Sequence, residues 1–414
     1  MTTPPYIQPF EDFRRSLSSV KYPAVLEQLP VKPGNEMFDE MREFLLHRYD
    51  GVEVQHSFLE HGGEIVDCVP VEQQLSLRAG SEVPVPPSDP PAPPDTGEAD
   101  SPPGSTTRVP PQLHPDYLDP LGNQMWCPPG TVPVLRQTLD RLATGYSTLD
   151  EFLRGPKAAT AGDVSRHAVA RQEGDNLGGS SYLNTWDQQL IPPSLLSSSS
   201  QQWYSNLGIP FVDTQTVECG WRAGAIAGAP ADSVPRLFVF YTRNNYVAGD
   251  SCYNDYCPNG FAYAAGANHV LHGAVTPVSQ VGGTQYDIPM GFTLTGGRWW
   301  FHSNGTWIGS YPTSLFGNGT LSTRATRAEF GGETTSGFNL FPPMGSGRFP
   351  IEGFGKAAYQ KLAAVNDMSG VLRHALLTAN QQHPSCYNIA ITNNSASTWG
   401  TYFYYGGPGG QNCA

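Results

Sequence analysis

From about His167 to the C-terminus the chain repeats one pattern that few folds accept. Short runs of β-branched and aromatic residues alternate with turn signals. Arg236-Leu-Phe-Val-Phe-Tyr-Thr242, Gly297-Arg-Trp-Trp-Phe-His302 and Thr401-Tyr-Phe-Tyr-Tyr405 are such runs, and Asn304-Gly305 and Asn318-Gly319 are such turns. A half-buried strand hides every second side chain, and Asn-Gly supplies the positive φ that a tight hairpin needs. Many short strands at this spacing predict a mainly β fold, a sandwich or a barrel. One helix, over residues 354–365, is expected to interrupt them. The 45 glycines and 38 prolines, with only 15% charged residues, fit turns and strands and exclude a helical bundle. A net charge of −13 argues against nucleic acid as a partner, because phosphate binding needs Lys and Arg. No apolar run is long enough to span a membrane as a helix.

The first third reads differently. Residues 35–50 predict an amphipathic helix: Asn35 caps it, Phe38, Met41, Phe44 and Leu45 share a face, and Gly51 stops it. An extended stretch, 52–76, turns at Gly62-Gly63. Residues 84–111 are dominated by Pro, which predicts an extended, disordered insertion with no packed core of its own. Short helices are expected over 137–143 and 148–153, the second capped by Ser147 and closed by Gly155. No internal repeat is present.

Two acidic residues stand in unusual company. Beyond Glu173 the chain has only four glutamates, Glu218, Glu329, Glu333 and Glu352. Glu218 lies in Val217-Glu-Cys-Gly-Trp221, and Glu333 follows a double glycine in Phe330-Gly-Gly-Glu333. Strand alternation puts Thr214, Thr216 and Glu218 on one face and Val217, Cys219 and Trp221 on the other. A carboxylate in apolar surroundings is suited to acid–base work, although an ordinary edge-strand carboxylate accounts for each Glu equally well on these grounds. The seven cysteines form at most three pairs with one left over, which would imply an oxidising compartment; seven reduced thiols are the alternative. His269 and His272 are too isolated from other ligands to predict a metal site. The N-terminus carries no signal-peptide pattern, which by itself predicts a cytosolic chain or one whose leader is missing.

A series of motifs occurs in one order along the chain. Gly63-Glu-Ile-Val-Asp-Cys-Val69 with Gln73-Gln74, and Cys127-Pro-Pro-Gly-Thr-Val-Pro-Val-Leu-Arg136, lie in the first part. Asn184-Thr-Trp186, Gln202-Trp203, Glu218-Cys-Gly-Trp221, Arg236 to Thr242, Cys252-Tyr-Asn-Asp-Tyr-Cys-Pro258, Phe330-Gly-Gly-Glu333, Met344-Gly-Ser-Gly347 and Glu352-Gly-Phe-Gly-Lys-Ala follow. In these the chain resembles the neprosin family of secreted proteins, prolyl endopeptidases of the glutamic type, nearly end to end. The resemblance implies an antiparallel two-sheet β-sandwich as the catalytic domain, over 167–414. It implies an inhibitory pro-domain over 1–155 that holds the Pro-rich insertion, and a processing region over 156–166. It places the catalytic pair at Glu218 and Glu333 and requires no cofactor and no metal. It supports disulfides Cys252–Cys257 and Cys386–Cys413, with Cys68–Cys127 paired by inference from the two pro-domain motifs. Cys219 is then the odd cysteine, at a position where plant relatives usually carry Ala, and is expected to make the site oxidation-sensitive. Extracellular location follows from the cysteines and the family.

The activity so implied is an acid-active endopeptidase cleaving after proline, with proline-containing peptides as substrates and its own pro-domain as inhibitor. Trp186, Trp221, Tyr241, Trp299 and Trp300 are the candidate walls of a proline pocket, against the plainer reading that aromatics in a sandwich fill its core. A serine hydrolase is disfavoured, because Ser346 in Met344-Gly-Ser-Gly347 lacks the first glycine of a nucleophile elbow. A glycosidase also uses two carboxylates. A non-catalytic carbohydrate- or wall-binding sandwich is the alternative from another class, and retention of both glutamates discriminates against it. Three sequons, at Asn304, Asn318 and Asn393, matter only in a eukaryotic secretory pathway.

Overall fold

The fold was analysed in a computed structural model. The structure describes residues 6–23, 26, 33–78, 80–96, 102, 104, 106–154, 164–187, 196–209, 212–224, 233–247, 249–336, 340–394, 396–411 and 413. The expected processing region falls mostly outside these residues.

The N-terminal part contains helices α1 (Phe10–Leu17) and α2 (Asn35–Tyr49), and strands β1 (His56–Leu59), β2 (Ile65–Pro70), β3 (Thr107–Arg108) and β4 (Thr131–Leu135). Helices α3 (Leu139–Gly145) and α4 (Leu149–Arg154) close it. Helix α2 forms as its spacing predicts, burying Phe38, Met41, Leu45 and Tyr49, and it ends where Gly51 takes a φ of +66°. Its N-cap is Gly34, one residue before the expected Asn35. Helix α1 has no counterpart in the sequence reading, although Phe10, Phe13 and Leu17 lie on one face and are buried. Helix α4 starts from a capping box: Thr148 Oγ1 accepts from Glu151 N at 3.2 Å, and Glu151 Oε2 accepts from Ser147 N at 2.8 Å. The cap is therefore Thr148, not Ser147, and Gly155 lies outside the described residues. Strands β1, β2 and β4 make a small antiparallel sheet in the order β1-β2-β4. The Cys68–Cys127 disulfide ties β2 to the chain before β4 and encloses the Pro-rich stretch.

The rest of the chain is β-structure: β5 (Val164–Asn176), β6 (Gly178–Asn184), β7 (Leu196–Ser205), β8 (Thr216–Gly224), β9 (Arg236–Thr242), β10 (Ser251–Tyr253), β11 (Ala262–Tyr263), β12 (Gln285–Thr295), β13 (Arg298–Ser303), β14 (Thr306–Pro312), β15 (Ala325–Ser336), β16 (Ala358–Asn366), β17 (Leu372–His374), β18 (Thr378–Gln381), β19 (Asn388–Thr392) and β20 (Tyr402–Gly406). The described strands pair into a seven-stranded sheet, β10-β9-β8-β7-β15-β5-β18, and a ten-stranded sheet. The second runs β11-β14-β13-β12-β6-β16-β20-β19, with β17 on β16 and β3 on β12. The two sheets face each other: Gln202 Nε2 of the first donates to Ser181 Oγ and to Met290 O of the second, and Gln360 Nε2 reaches back to Ser200 Oγ. Tyr204, Trp221, Phe292, Trp299 and Phe330 fill the space between them. The mainly β, two-sheet prediction holds.

Two expectations need correction. A helix was expected over 354–365; residues 358–366 are instead strand β16, paired with β6 and β20. Alanine, leucine and lysine favour a helix locally, but a strand here satisfies backbone groups on both sides in mid-sheet. The Pro-rich stretch is extended, as its composition dictates, but its described part is held against the ten-stranded sheet. Trp307 Nε1 donates to Ser88 O at 2.8 Å, and Thr107–Arg108 pair with β12.

The N-terminal part lies against the seven-stranded sheet and shares its core. Phe152 of α4 stacks on Tyr256 with ring centroids 4.8 Å apart. Buried Arg48 pairs with Asp255 at 2.7 Å, and Glu60 Oε2 accepts from Ala274 N at 3.0 Å.

Candidate functional site

Three adjacent strands, β8, β7 and β15, carry the site on the face turned away from the partner sheet. Alternation puts Glu218, Gly220 and Arg222 of β8 on this face, with Ser199, Gln201 and Trp203 of β7 and Gly331 and Glu333 of β15. In register, Gln201 stands between Gly220 on one side and Gly331 on the other. Glu218 and Glu333 sit two residues along their strands, at opposite ends of this row. The glycines leave room for the Gln201 side chain between the two acids. A Cβ at Gly220 would lie 2.2 Å from Ser200 O and 2.6 Å from Gln201 Cβ, and one at Gly331, whose φ is +154°, would lie 2.3 Å from Ala168 O. Gly332 faces the other way, towards Met344 and Tyr405.

The two carboxylates share one amide. Gln201 Nε2 donates to Glu218 Oε2 at 3.3 Å and to Glu333 Oε2 at 3.1 Å. Glu218 Oε1 also accepts from Thr216 Oγ1 at 2.8 Å and from the Tyr246 hydroxyl at 3.1 Å. Glu333 Oε1 accepts from Ser165 Oγ at 2.8 Å, with His167 Nε2 3.8 Å away. Glu218 is 0% and Glu333 2% exposed. A third charge lies close by. The Arg222 guanidinium is buried and donates to Tyr253 OH at 3.0 Å and to Thr335 Oγ1 at 3.4 Å. Burial disfavours that cation, but Tyr253, Glu333 and Glu218 outweigh the penalty and hold its pKa above the ordinary value.

The sequence-predicted residues divide. Glu218 and Glu333 come together, and Thr216 shares the Glu218 face as alternation required. Glu329, on the same face of β15, is not joined to the pair: it lies across Trp203 from Glu218, and burial raises its carboxyl pKa. Glu352 lies outside the sheets, 3.9 Å from Arg348. The aromatics proposed for a proline pocket are not brought to the glutamates. Trp221 points into the core and donates to Asn184 O, and Trp299 donates to Leu321 O beside Tyr204. Tyr241 packs against Tyr311 and Phe316, and Trp186 is buried and donates to Asn184 Oδ1. Trp300 lies on the outer face of the ten-stranded sheet with Trp307. The aromatics beside the pair are Tyr246, stacked on Phe240, and Trp203, packed on His167.

Gln201 and Arg222 are residues that sequence reasoning missed. Strand β7 is rich in serine and holds Gln202 as well, so no local signal singles out Gln201, and Arg222 is marked only as the charged neighbour of Glu218 in β8. The disulfides in the structure are Cys68–Cys127, Cys252–Cys257 and Cys386–Cys413, and Cys219 is a buried free thiol. Its environment corrects the expected oxidation sensitivity. Cys219 points away from the site, and burial followed by the Glu218 charge pushes its pKa well above the ordinary value. Among the described residues no group of three His, Cys, Asp or Glu side chains is placed to hold a metal ion, and no helix is long and apolar enough to cross a membrane.

Among solved structures, the chain is similar to scytalido-glutamic peptidase with a transition state analog inhibitor, at 13% identity and a TM-score of 0.29, over 59% of this chain and 99% of that one. It is similar to a 1,3-α-1,4-β-D-galactose-4-sulfate-3,6-anhydro-D-galactose 4 galactohydrolase at 9% identity and a TM-score of 0.22, over 43% of this chain and 68% of that one. Likenesses this weak say nothing of the chemistry of this chain. The Neprosin family model matches residues 196–408, over half of the chain and the whole stretch from β7 through β15 that presents Glu218, Gln201 and Glu333, so the chain belongs to the neprosin family.

Proposed function

We propose that the protein is a glutamic endopeptidase, active in mild acid, that cuts peptide bonds after proline and is made as a zymogen. Family membership supports a peptidase. The observation that carries the two-glutamate reading is the single Gln201 amide that bridges Glu218 and Glu333.

Peptide hydrolysis without a nucleophilic side chain needs an activated water. The proposed reaction uses one carboxyl of the Gln201-bridged pair ionised and the other protonated. The ionised member takes a proton from water as it attacks the carbonyl carbon, and the protonated member delivers one to the departing nitrogen. The Gln201 amide, already aimed between them, donates to the oxyanion that develops.

The zymogen reading is supported by the packing of the N-terminal part. A substrate does not reach carboxylates that are 0% and 2% exposed. Phe152 and Tyr146 sit over the β8–β10 end of the catalytic face; burial raises the Tyr146 phenol pKa, and the nearby Arg222 cation opposes this. Residues 1–155 are therefore read as the inhibitory pro-domain, 156–166 as the processing region and 167–414 as the catalytic domain. Three disulfides suit an extracellular protein.

The test is acid incubation of the full chain with a proline-containing peptide, followed by mass spectrometry and N-terminal sequencing. Cleavage after proline, with release of a fragment ending between residues 155 and 167, is expected. Peptidase activity from an uncleaved chain overturns the zymogen reading. Absence of cleavage under all conditions, with binding of glycans instead, overturns the peptidase reading.

A further inference from the structure

The outer face of the ten-stranded sheet, on the side opposite the glutamates, carries a row of aromatic rings. Trp300 and Trp307 lie 5.7 Å apart outside the inter-sheet core. Further along, Lys361 Nζ sits 5.3 Å from the rings of both Tyr182 and Trp399. Across this face runs the Pro-rich strap.

Seven of the eleven residues from Pro84 to Pro94 are proline. Such a segment has few N–H groups to offer a sheet and adopts the polyproline II helix, with three residues per turn and free carbonyls. The strap is held through carbonyls at two points: Trp307 Nε1 donates to Ser88 O at 2.8 Å, and His374 Nε2 lies 2.9 Å from Asp95 O. Trp307 is on β14 and His374 on β17, five inter-strand steps apart through β13, β12, β6 and β16. Five steps at about 4.8 Å are ~24 Å. Seven residues of polyproline II, at about 3.1 Å each, span ~22 Å. The two lengths agree to within the reach of the Trp307 and His374 side chains, so the strap crosses the strands in extended form. Pro84 is buried and Pro86, Pro90, Pro91 and Pro94 half-buried, while Pro87 and Pro93 face solvent. Indole N–H to carbonyl contacts beside aromatic rings are how polyproline II ligands are held in general.

We propose that this outer face is a second binding site, separate from the glutamate pair, for proline-rich polypeptide in the polyproline II form. Residues 83–95 occupy it in the intact chain. The site does not depend on the peptidase reading, because it lies on the other sheet and is read by binding alone.

The experiment uses full-length protein carrying E218Q, so that no peptide is consumed, and the fluorescein-labelled peptide of residues 81–96, with fluorescence anisotropy as the readout. The native strap is expected to exclude the peptide. Replacing the seven strap prolines with serine is expected to open the site and tighten peptide binding at least tenfold. In that strap variant, Trp307→Ala should weaken binding about tenfold or more, as for a central aromatic anchor. Trp307→Phe, which keeps a ring but loses the donor, should weaken it about fivefold. A peptide with alanine at every proline should bind at least tenfold more weakly. Circular dichroism and thermal melting establish that each variant is folded, and P87S/P90S/P91S replaces the full set if that set does not fold. The proposal is overturned if a folded strap variant does not bind the peptide, or binds the alanine peptide equally well. It is also overturned if binding ignores Trp307, or if the variant takes cellohexaose in place of the peptide.

Discussion

Gln201 reaches both acids because its neighbours on either side are Gly220 and Gly331, and any Cβ there would collide with backbone. Glu218→Gln and Glu333→Gln should each abolish cleavage after proline while leaving the circular dichroism spectrum unchanged; normal turnover by both variants would falsify the pair. Gln201→Ala should lower kcat by about 10²-fold with a smaller effect on KM, if the amide acts, as proposed, on charge that develops in the transition state. Cys219 should stay unmodified by a thiol reagent in the native protein and react only on unfolding, because burial holds it as the thiol. Cys219→Ala should accordingly keep most of the activity. Alternation along β8 was enough to place Thr216 and Glu218 on one face. It was not enough to find Gln201, whose role depends on a partner 132 residues away.

Strands β8, β7 and β15 form one unit whose mutual register brings the acids together. Gly220→Ala should therefore disturb both stability and activity. Relief of contacts as short as 2.2 Å requires backbone movement, with a cost of about 1–3 kcal/mol. A lower denaturant midpoint and lost cleavage would report it, and an unchanged midpoint would count against the packing argument. That strand β16 lies where a helix was expected over 354–365 has its cause at this scale. The stretch is rich in residues that helices accept, and a register irregularity between Lys361 and Ala364, with Leu362 at a φ of +52°, breaks the alternation that marks a strand. The Cys68–Cys127 bridge closes a loop with a sequence separation of 59 residues. Its removal should cost on the order of 4 kcal/mol on chain-entropy grounds.

At the scale of the whole molecule, the loop around residues 267–275 docks the N-terminal part, and it holds two buried histidines. His272 bonds to Tyr256 OH, which also accepts from Gln137 Nε2, and faces the cations Arg236 and Arg141. His269 contacts Asn268 Oδ1 and Ser303 Oγ. Burial lowers the His269 pKa to about 4, and burial, then Arg236 and Arg141, take His272 well below 6.5. The unfolded or undocked chain takes up these protons below about pH 6.5 while the docked form does not. Stability is therefore full above pH 6.5 and falls as the pH drops towards 4, by up to ~3 kcal/mol for His269 alone. Hydrogen exchange of residues 267–275 should rise through that window, and His272→Phe should shift the rise to lower pH. A rise that ignores the substitution would exclude this residue as the sensor.

Composition and alternation determined the β class, the helix over 35–50 and the faces of the strand that carries Glu218, because each rests on contacts a few residues apart. The ordered motifs singled out Glu218 and Glu333 from four glutamates. Tertiary structure alone decided that one glutamine joins them, that Arg222 lies beside them and that the aromatics thought to line a pocket lie elsewhere, four in the core and Trp300 on the outer face of the far sheet. It also seated the Pro-rich stretch on the far sheet. Those outcomes depend on strand register and sheet order between segments more than a hundred residues apart, and no local pattern carries that information.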